Sequence, residues 1–324
     1  MKAVVYSDYG GPEVLRHVEI EKPAPADNEI LVKVHAASVN PADWHLMRGT
    51  PYLIRMGTGF RKPSSAQRVG LDYAGTIEAV GRGVTQYRVG DAVFGGRQGT
   101  LAEHLTVPVD RGPARKPEKL TFEQAAAVAV AGVTALQALR NKAQVQRGQK
   151  VLINGASGGV GTFAVQLAKS FGAEVTGVQS TRNMELVRSI GADHVIDYTK
   201  EDFTTSGERY DVVLDNVGNR SLSEIRRVLK PGGTYLPNGG GTPEKGASIG
   251  GIVKMLVMSP FISHRIRLFV ATPNRDDVQM LADLMQAGGV TPVIDRCYPF
   301  MEAAEAMRHL ESGHARGKVV VTIA

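Results

Sequence analysis

Apolar and β-branched residues in the first third of the chain come in short runs, each closed by a turn former. Residues 30–34, 75–80 and 91–94 are predicted strands on this pattern. Gly81, Gly83 and the pair Gly90-Asp91 punctuate them as hairpin or corner residues. Residues 1–6 read as a further short strand before Gly10-Gly11-Pro12. Strands at this spacing predict a small barrel or sandwich covering roughly the first 120 residues.

From Thr121 the pattern changes. Thr121 followed by Glu123-Gln124 marks a helix start, and 125–139 is predicted as one long alanine-rich helix. Strands and helices then alternate: strand 150–154, helix 160–171, strand 174–178, helix 184–190, strand 195–197, strand 210–215, helix 221–229 and strand 233–236. Each parallel strand pair needs a crossover helix, so this alternation predicts a doubly wound parallel sheet. Beyond Gly239 the apolar stretch 249–258 is a predicted helix stopped by Pro260, 265–271 a strand and 276–286 a helix. The tail 318–323 alternates like a strand that rejoins the N-terminal sheet. The expected fold is therefore α/β, a doubly wound domain at 124–269 inserted into a β-rich domain formed by 1–123 and 270–324.

The strongest motif is Val151-Leu152-Ile153-Asn154-Gly155-Ala156-Ser157-Gly158-Gly159-Val160-Gly161, set between a predicted strand and a predicted helix. The spacing is G-x-x-G-x-x-G. Its chemistry is that of a dinucleotide fingerprint: a tight turn turns backbone N–H groups and a helix N-terminus toward a pyrophosphate. Gly155, Ser157, Gly158, Gly159, Val160 and Gly161 are the residues expected there. An NAD site places a carboxylate about 20 residues beyond the glycines, on the ribose hydroxyls. This chain has Val178-Gln179-Ser180-Thr181-Arg182-Asn183 instead. Ser180 offers a hydrogen bond and Arg182 a charged planar fork, which favours NADPH, while Ser180-Thr181 also suits a helix cap. Tyr198 is placed to lie along the adenosine.

Composition narrows the class. With 43% hydrophobic and 22% charged residues the chain is an ordinary globular one. Its net charge is +6, but the cations are scattered and aromatic content is 6%, which gives no stacking platform for nucleic acid. The single cysteine, Cys297, forms no internal disulfide, and no stretch approaches the roughly 18 apolar residues of a membrane span. A cytoplasmic protein without a transmembrane segment is expected.

Several further motifs carry a resemblance: Gly10-Gly11-Pro12-Glu13-Val14-Leu15, Ala37-Ser38-Val39-Asn40-Pro41-Ala42-Asp43, Gly70-Leu71-Asp72-Tyr73-Ala74-Gly75, Val89-Gly90-Asp91-Ala92-Val93-Phe94 and Gly191-Ala192-Asp193-His194-Val195-Ile196-Asp197-Tyr198. With the glycine fingerprint they span nearly the whole chain, which resembles the medium-chain dehydrogenase/reductase superfamily and, within it, the zinc-free NADPH:quinone oxidoreductase branch. The resemblance implies a GroES-like barrel catalytic domain, an inserted Rossmann domain and a cleft between them. Zinc-dependent relatives carry a cysteine where Asn40 stands and Gly-His-Glu where this chain has Gly70-Leu71-Asp72. No structural-zinc lobe is present, and the eight histidines show no ligand spacing. Without a Lewis acid, reduction of an electron-poor acceptor is easier than oxidation of an alcohol.

By resemblance, Asn40 borders the nicotinamide and Thr134 its ribose, Val217, Gly218, Asn238 and Gly239 line the other side, and Lys318 reaches the phosphates or is a solvated charge. Asp43, Trp44, Tyr52 and Phe94 are expected around a quinone or α,β-unsaturated carbonyl acceptor. Trp44 could stack on a flat ring or anchor the core, the second being the commoner role. Tyr52 is the candidate proton donor, one residue later than the tyrosine of relatives, with solvent as the other source. Two other readings are a 2-enoyl thioester reductase, served by Arg55, Arg61, Lys62 and Arg68, and a non-catalytic cofactor-binding protein. A homodimer joined along 265–271 is expected.

Overall fold

The computed structural model describes residues 1–239 and 264–323. The chain forms two compact units, residues 1–133 with 272–324 and residues 134–271. The first boundary thus falls after the alanine-rich region begins, because Ala125 and Ala126 of the helix Phe122–Ala126 are buried with the first unit's strands.

The first unit is built on the strand Glu29–Val39, whose Ile30, Val32 and Val34 are fully buried on one face. It pairs antiparallel with Asp72–Val80, with His104–Pro108 along its first half, and with Lys318–Thr322 along its second. The tail therefore rejoins the N-terminal sheet, as its alternation predicts. Two registers define one end of this sheet: Ser38 lies opposite Asp72, and Val39 opposite Val319. They bring Ser38, Asn40, Asp72 and Lys318 together there.

The helices Pro41–Arg48 and Ala303–Glu311 are not among the predicted elements, although Ala303, Ala306 and Met307 of the second are buried at helical spacing. The first has its signals locally: Pro41 at the first helical position, Asp43 accepting from the Asn40 N–H at 2.8 Å, and Gly49 closing the helix at φ +60°.

The single helix predicted over 125–139 is broken into Phe122–Ala126, Ala129–Leu136 and the wider-turned Gln137–Ala143. Thr121 and Gln124 cap the first piece reciprocally. In the first turn of the second piece the N–H of Val130 donates to Asp72 Oδ1 at 2.7 Å. A first-turn amide is thus met by a buried carboxylate, an interaction that periodicity does not reveal.

The second unit contains a parallel sheet whose order, taken from one edge, is His194–Asp197, Glu174–Gln179, Lys150–Asn154, Tyr210–Asp215, Leu229–Pro237, Arg265–Ile266. Numbered by sequence this is the 3-2-1-4-5-6 order of a Rossmann sheet. Leu152, Val178, Val213 and Tyr235 join Phe203 and Ile225 in its core. The last strand is only two residues long, shorter than the predicted 265–271. The predicted helix at 249–258 lies outside the described residues.

Candidate functional site

In the second unit the strand Lys150–Asn154 runs into Gly155 at φ +78°, and the helix Gly159–Ser170 begins four residues later. The turn is specified by missing side chains. A Cβ on Gly161 would stand 2.1 Å from the Gly155 carbonyl oxygen, so only glycine lets the helix pack this closely on the strand. Behind the turn, Ser157 is held on both sides. Its N–H donates to Gln179 Oε1 at 2.9 Å, and its hydroxyl accepts from Asn183 Nδ2 at 3.0 Å. A helix N-terminus directly after such a turn is the feature that receives a pyrophosphate in dinucleotide folds.

At the end of the second strand, Ser180 is half-buried and precedes the turn Thr181–Asn183, on which Arg182 is exposed. Thr181 donates its hydroxyl to Asp197 Oδ2, and Thr199 donates both N–H and hydroxyl to Asp197 Oδ1, at 3.0 and 2.7 Å. These donors hold the Asp197 carboxyl down to about 2 and commit both its oxygens. Tyr198 beside it is exposed.

At the end of the fourth strand the fully buried Asp215 organises the next loop. Its Oδ1 accepts from Asn154 Nδ2 at 2.8 Å, Val217 N at 3.1 Å and Gly218 N at 2.9 Å, and its Oδ2 from the Tyr235 hydroxyl at 3.0 Å. Asn238 donates to Asn216 Oδ1 at 2.8 Å, and a Cβ on Gly239 would lie 2.0 Å from the Asn216 carbonyl oxygen. Val217 is exposed above this braced loop. Thr134 is buried on the helix Ala129–Leu136.

The first unit holds a different construction, a buried polar knot. Asp72 Oδ2 accepts from Ser38 Oγ at 2.7 Å, Asn40 Nδ2 at 2.9 Å and Lys318 Nζ at 3.1 Å. Lys318 also donates to Asn40 Oδ1. The Asn40 amide is thereby fixed in one orientation, carbonyl toward the ammonium and amino group toward the carboxylate. Lys318 is 3% exposed and Asp72 0%, so water solvates neither group and each depends on its partners in the knot.

Three expectations, for Lys318, Asp43 and Phe94, are corrected. Lys318 is neither a solvated charge nor free to reach phosphates, since its ammonium is committed to Asn40 and Asp72. Asp43 does not face an acceptor: its two oxygens take the N–H groups of Asn40 and Gly70, at 2.8 and 3.0 Å. Burial pushes its carboxyl up to about 7. Trp44 packs with Met47, Val39 and Leu101 in the core, the commoner of the two roles considered for it. Phe94 is completely buried in its strand. Tyr52, in contrast, is exposed, its ring 4.4 Å from the guanidinium carbon of Arg55.

Asp72 is the residue that motif reading undervalued. Its only signal is the substitution of Leu71-Asp72 for His-Glu, which removes a ligand but keeps a carboxylate. Among the described residues no group of three or more His, Cys, Asp or Glu side chains is arranged to hold a metal ion.

Comparison with known proteins agrees with this architecture. Residues 26–118 match the alcohol dehydrogenase GroES-like domain, and residues 190–321 match a family described as zinc-binding dehydrogenase. Human quinone oxidoreductase is 34% identical, the alignment covering 100% of this chain and 98% of that protein. The chloroplastic NADPH-dependent alkenal/one oxidoreductase of Arabidopsis thaliana is 35% identical over 99% of this chain and 79% of its own length. The crystal structure of Escherichia coli quinone oxidoreductase complexed with NADPH superposes with a TM-score of 0.83 at 26% identity, covering 100% of both chains. The chain belongs to the medium-chain dehydrogenase/reductase superfamily, within its quinone oxidoreductase branch.

Proposed function

We propose that this protein is an NADPH-dependent oxidoreductase that reduces a quinone or an α,β-unsaturated carbonyl compound by hydride transfer, without zinc. The observation that carries the reading is the glycine cradle on the first strand of a 3-2-1-4-5-6 sheet, with Ser180 and Arg182 where an NAD site would place a carboxylate. The names of the relatives support the same chemistry. Bound in this cradle, the reduced nicotinamide supplies the hydride; the chain supplies position and charge.

Gly155, Ser157, Gly158, Gly159, Val160 and Gly161 take the pyrophosphate, with Ser157 held from behind by Gln179 and Asn183. Ser180 and Arg182 bind the 2′-phosphate, and Tyr198 lies along the adenosine. Thr134, Val217, Gly218, Asn238 and Gly239 position the nicotinamide end. Asn40, oriented by Lys318 and Asp72, meets the reacting ring. Tyr52 or water returns the proton to the reduced acceptor.

Cofactor affinity tests this reading directly. Fluorescence titration is expected to give tighter binding of NADPH than of NADH, and the Arg182→Ala variant to narrow the gap. Equal affinity for the two in the unaltered chain would contradict the phosphate assignment. A homodimer is proposed at Arg265–Ile266, the terminal strand of the sheet among the described residues, which sedimentation at micromolar concentration tests. A cytoplasmic location is proposed on the one unpaired thiol, Cys297; no described helix is long and apolar enough to cross a membrane.

A further inference from the structure

Between Asp43 and Asp72 the sequence has no acidic residue and five cations, Arg48, Arg55, Arg61, Lys62 and Arg68. The middle of this run folds as two short turns, Tyr52–Ile54 and Arg55–Thr58. Ile54 is half-buried, but three large apolar side chains of the run face water: Leu53 is 56% exposed, Met56 76% and Phe60 72%. Isolated apolar residues on a surface are ordinary, but three large ones within eight positions make a local apolar tip.

The tip is tied to the body of its unit. Arg55 lies 4.4 Å from the centroids of both the Tyr9 and Tyr52 rings and donates to the Gly49 carbonyl at 3.0 Å. The Tyr9 hydroxyl donates to the Gly59 carbonyl at 2.7 Å. The apolar side chains are therefore displayed by a braced lobe.

The cations divide into two groups. Arg48 is spent on Glu311, at 2.7 and 3.0 Å, Arg55 on the brace, and Arg68 on the Gly99 carbonyl at 2.7 Å. Arg61 and Lys62 are exposed, come directly after Phe60, and have no hydrogen bond or ion pair among the described residues. An apolar tip flanked by uncommitted cations, with no carboxylate in the run, complements an apolar layer beneath an anionic one. An anionic bilayer has that layering. A solely apolar protein groove would leave the two cations without partners.

We infer that this lobe seats the protein reversibly on an anionic membrane surface, with Leu53, Met56 and Phe60 entering the acyl boundary and Arg61 and Lys62 on the headgroups. Resting on the proposed function, this narrows the acceptor to a hydrophobic quinone or enone dissolved in the bilayer.

The test is co-sedimentation of the full chain with phosphatidylcholine vesicles and with vesicles of phosphatidylcholine mixed with phosphatidylglycerol. Binding is expected to the mixed vesicles, weakened by salt. It should fall about tenfold or more in Arg61→Glu/Lys62→Glu and in Met56→Ser/Phe60→Ser, with NADPH affinity unchanged in both as the control for folding. Failure to sediment with either vesicle, or equal sedimentation of the variants, overturns the inference. So does loss of enoyl-coenzyme A binding in the charge-reversed variant when no vesicle binding is found, which would assign the cations to a thioester arm. The vesicle experiment needs no acceptor. A chain that ignores vesicles yet oxidises NADPH with a water-soluble quinone overturns only this inference, whereas one that sediments but never oxidises NADPH overturns the proposed function instead.

Discussion

The glycine cradle of the second unit and the polar knot of the first solve opposite problems. The cradle is made of backbone and works by removing side chains: Gly155 holds a positive φ, and Gly161 lies where a Cβ would meet a carbonyl. The knot is made of side chains and works by burying charge, with Lys318, Asp72, Asn40 and Ser38 each satisfying another. The difference teaches how each fails. A backbone site tolerates nothing larger at its crossing point, whereas a charged knot tolerates no missing partner.

The largest expected effect comes from breaking the knot. Asp72→Ala leaves the Lys318 ammonium buried without its carboxylate and frees the Val130 amide, so a loss of about 3–5 kcal/mol in stability is expected by denaturant titration. Adding Lys318→Met should restore part of it, because both charges are then gone. If the two losses simply add, the pair is not coupled.

Breaking the cradle comes next. Gly161→Val overpacks the helix–strand crossing by about 1–3 kcal/mol and should abolish measurable NADPH binding, as read by fluorescence titration. Retained affinity would mean that the close approach of helix to strand is dispensable.

Arg182→Ala sharpens the comparison from the exposed end of the second strand. Removing one charge-assisted contact to a phosphate costs about 1.5–3 kcal/mol, so the KM for NADPH should rise by roughly tenfold or more while that for NADH moves little.

The smallest effect is in acid. The Asp197 carboxyl is held at about 2 from an ordinary 3.8. Its contribution to stability is therefore present above about pH 4 and lost as pH falls toward 2. Asp197→Asn should lower stability at neutral pH and flatten the fall between about pH 4 and 2, because the contribution that acid removes is then already absent.

The same contrast explains what the sequence made legible. The cradle could be read because contiguous glycines between a strand and a helix record a backbone requirement, and the alternation around 150–236 gave the sheet that frames it. The knot could not, because its members at 38, 40, 72 and 318 meet only through strand registers, Ser38 opposite Asp72 and Val39 opposite Val319. The resemblance picks out Asn40 and Lys318 but not their pairing with each other or with Asp72. Asp43 and Phe94 were misplaced for a related reason: proximity in sequence to Asn40, or membership of a motif, does not say which face a side chain takes. The broken alanine-rich helix obeys the same rule, since its second piece starts beside a distant carboxylate rather than at a local breaker.

The most direct measurement is steady-state oxidation of NADPH with a water-soluble quinone, after exhaustive treatment with a metal chelator. Undiminished turnover, with NADPH preferred over NADH, is the predicted result. Turnover that vanishes with the chelator and returns with zinc, or no NADPH oxidation with any quinone or enone, would contradict it.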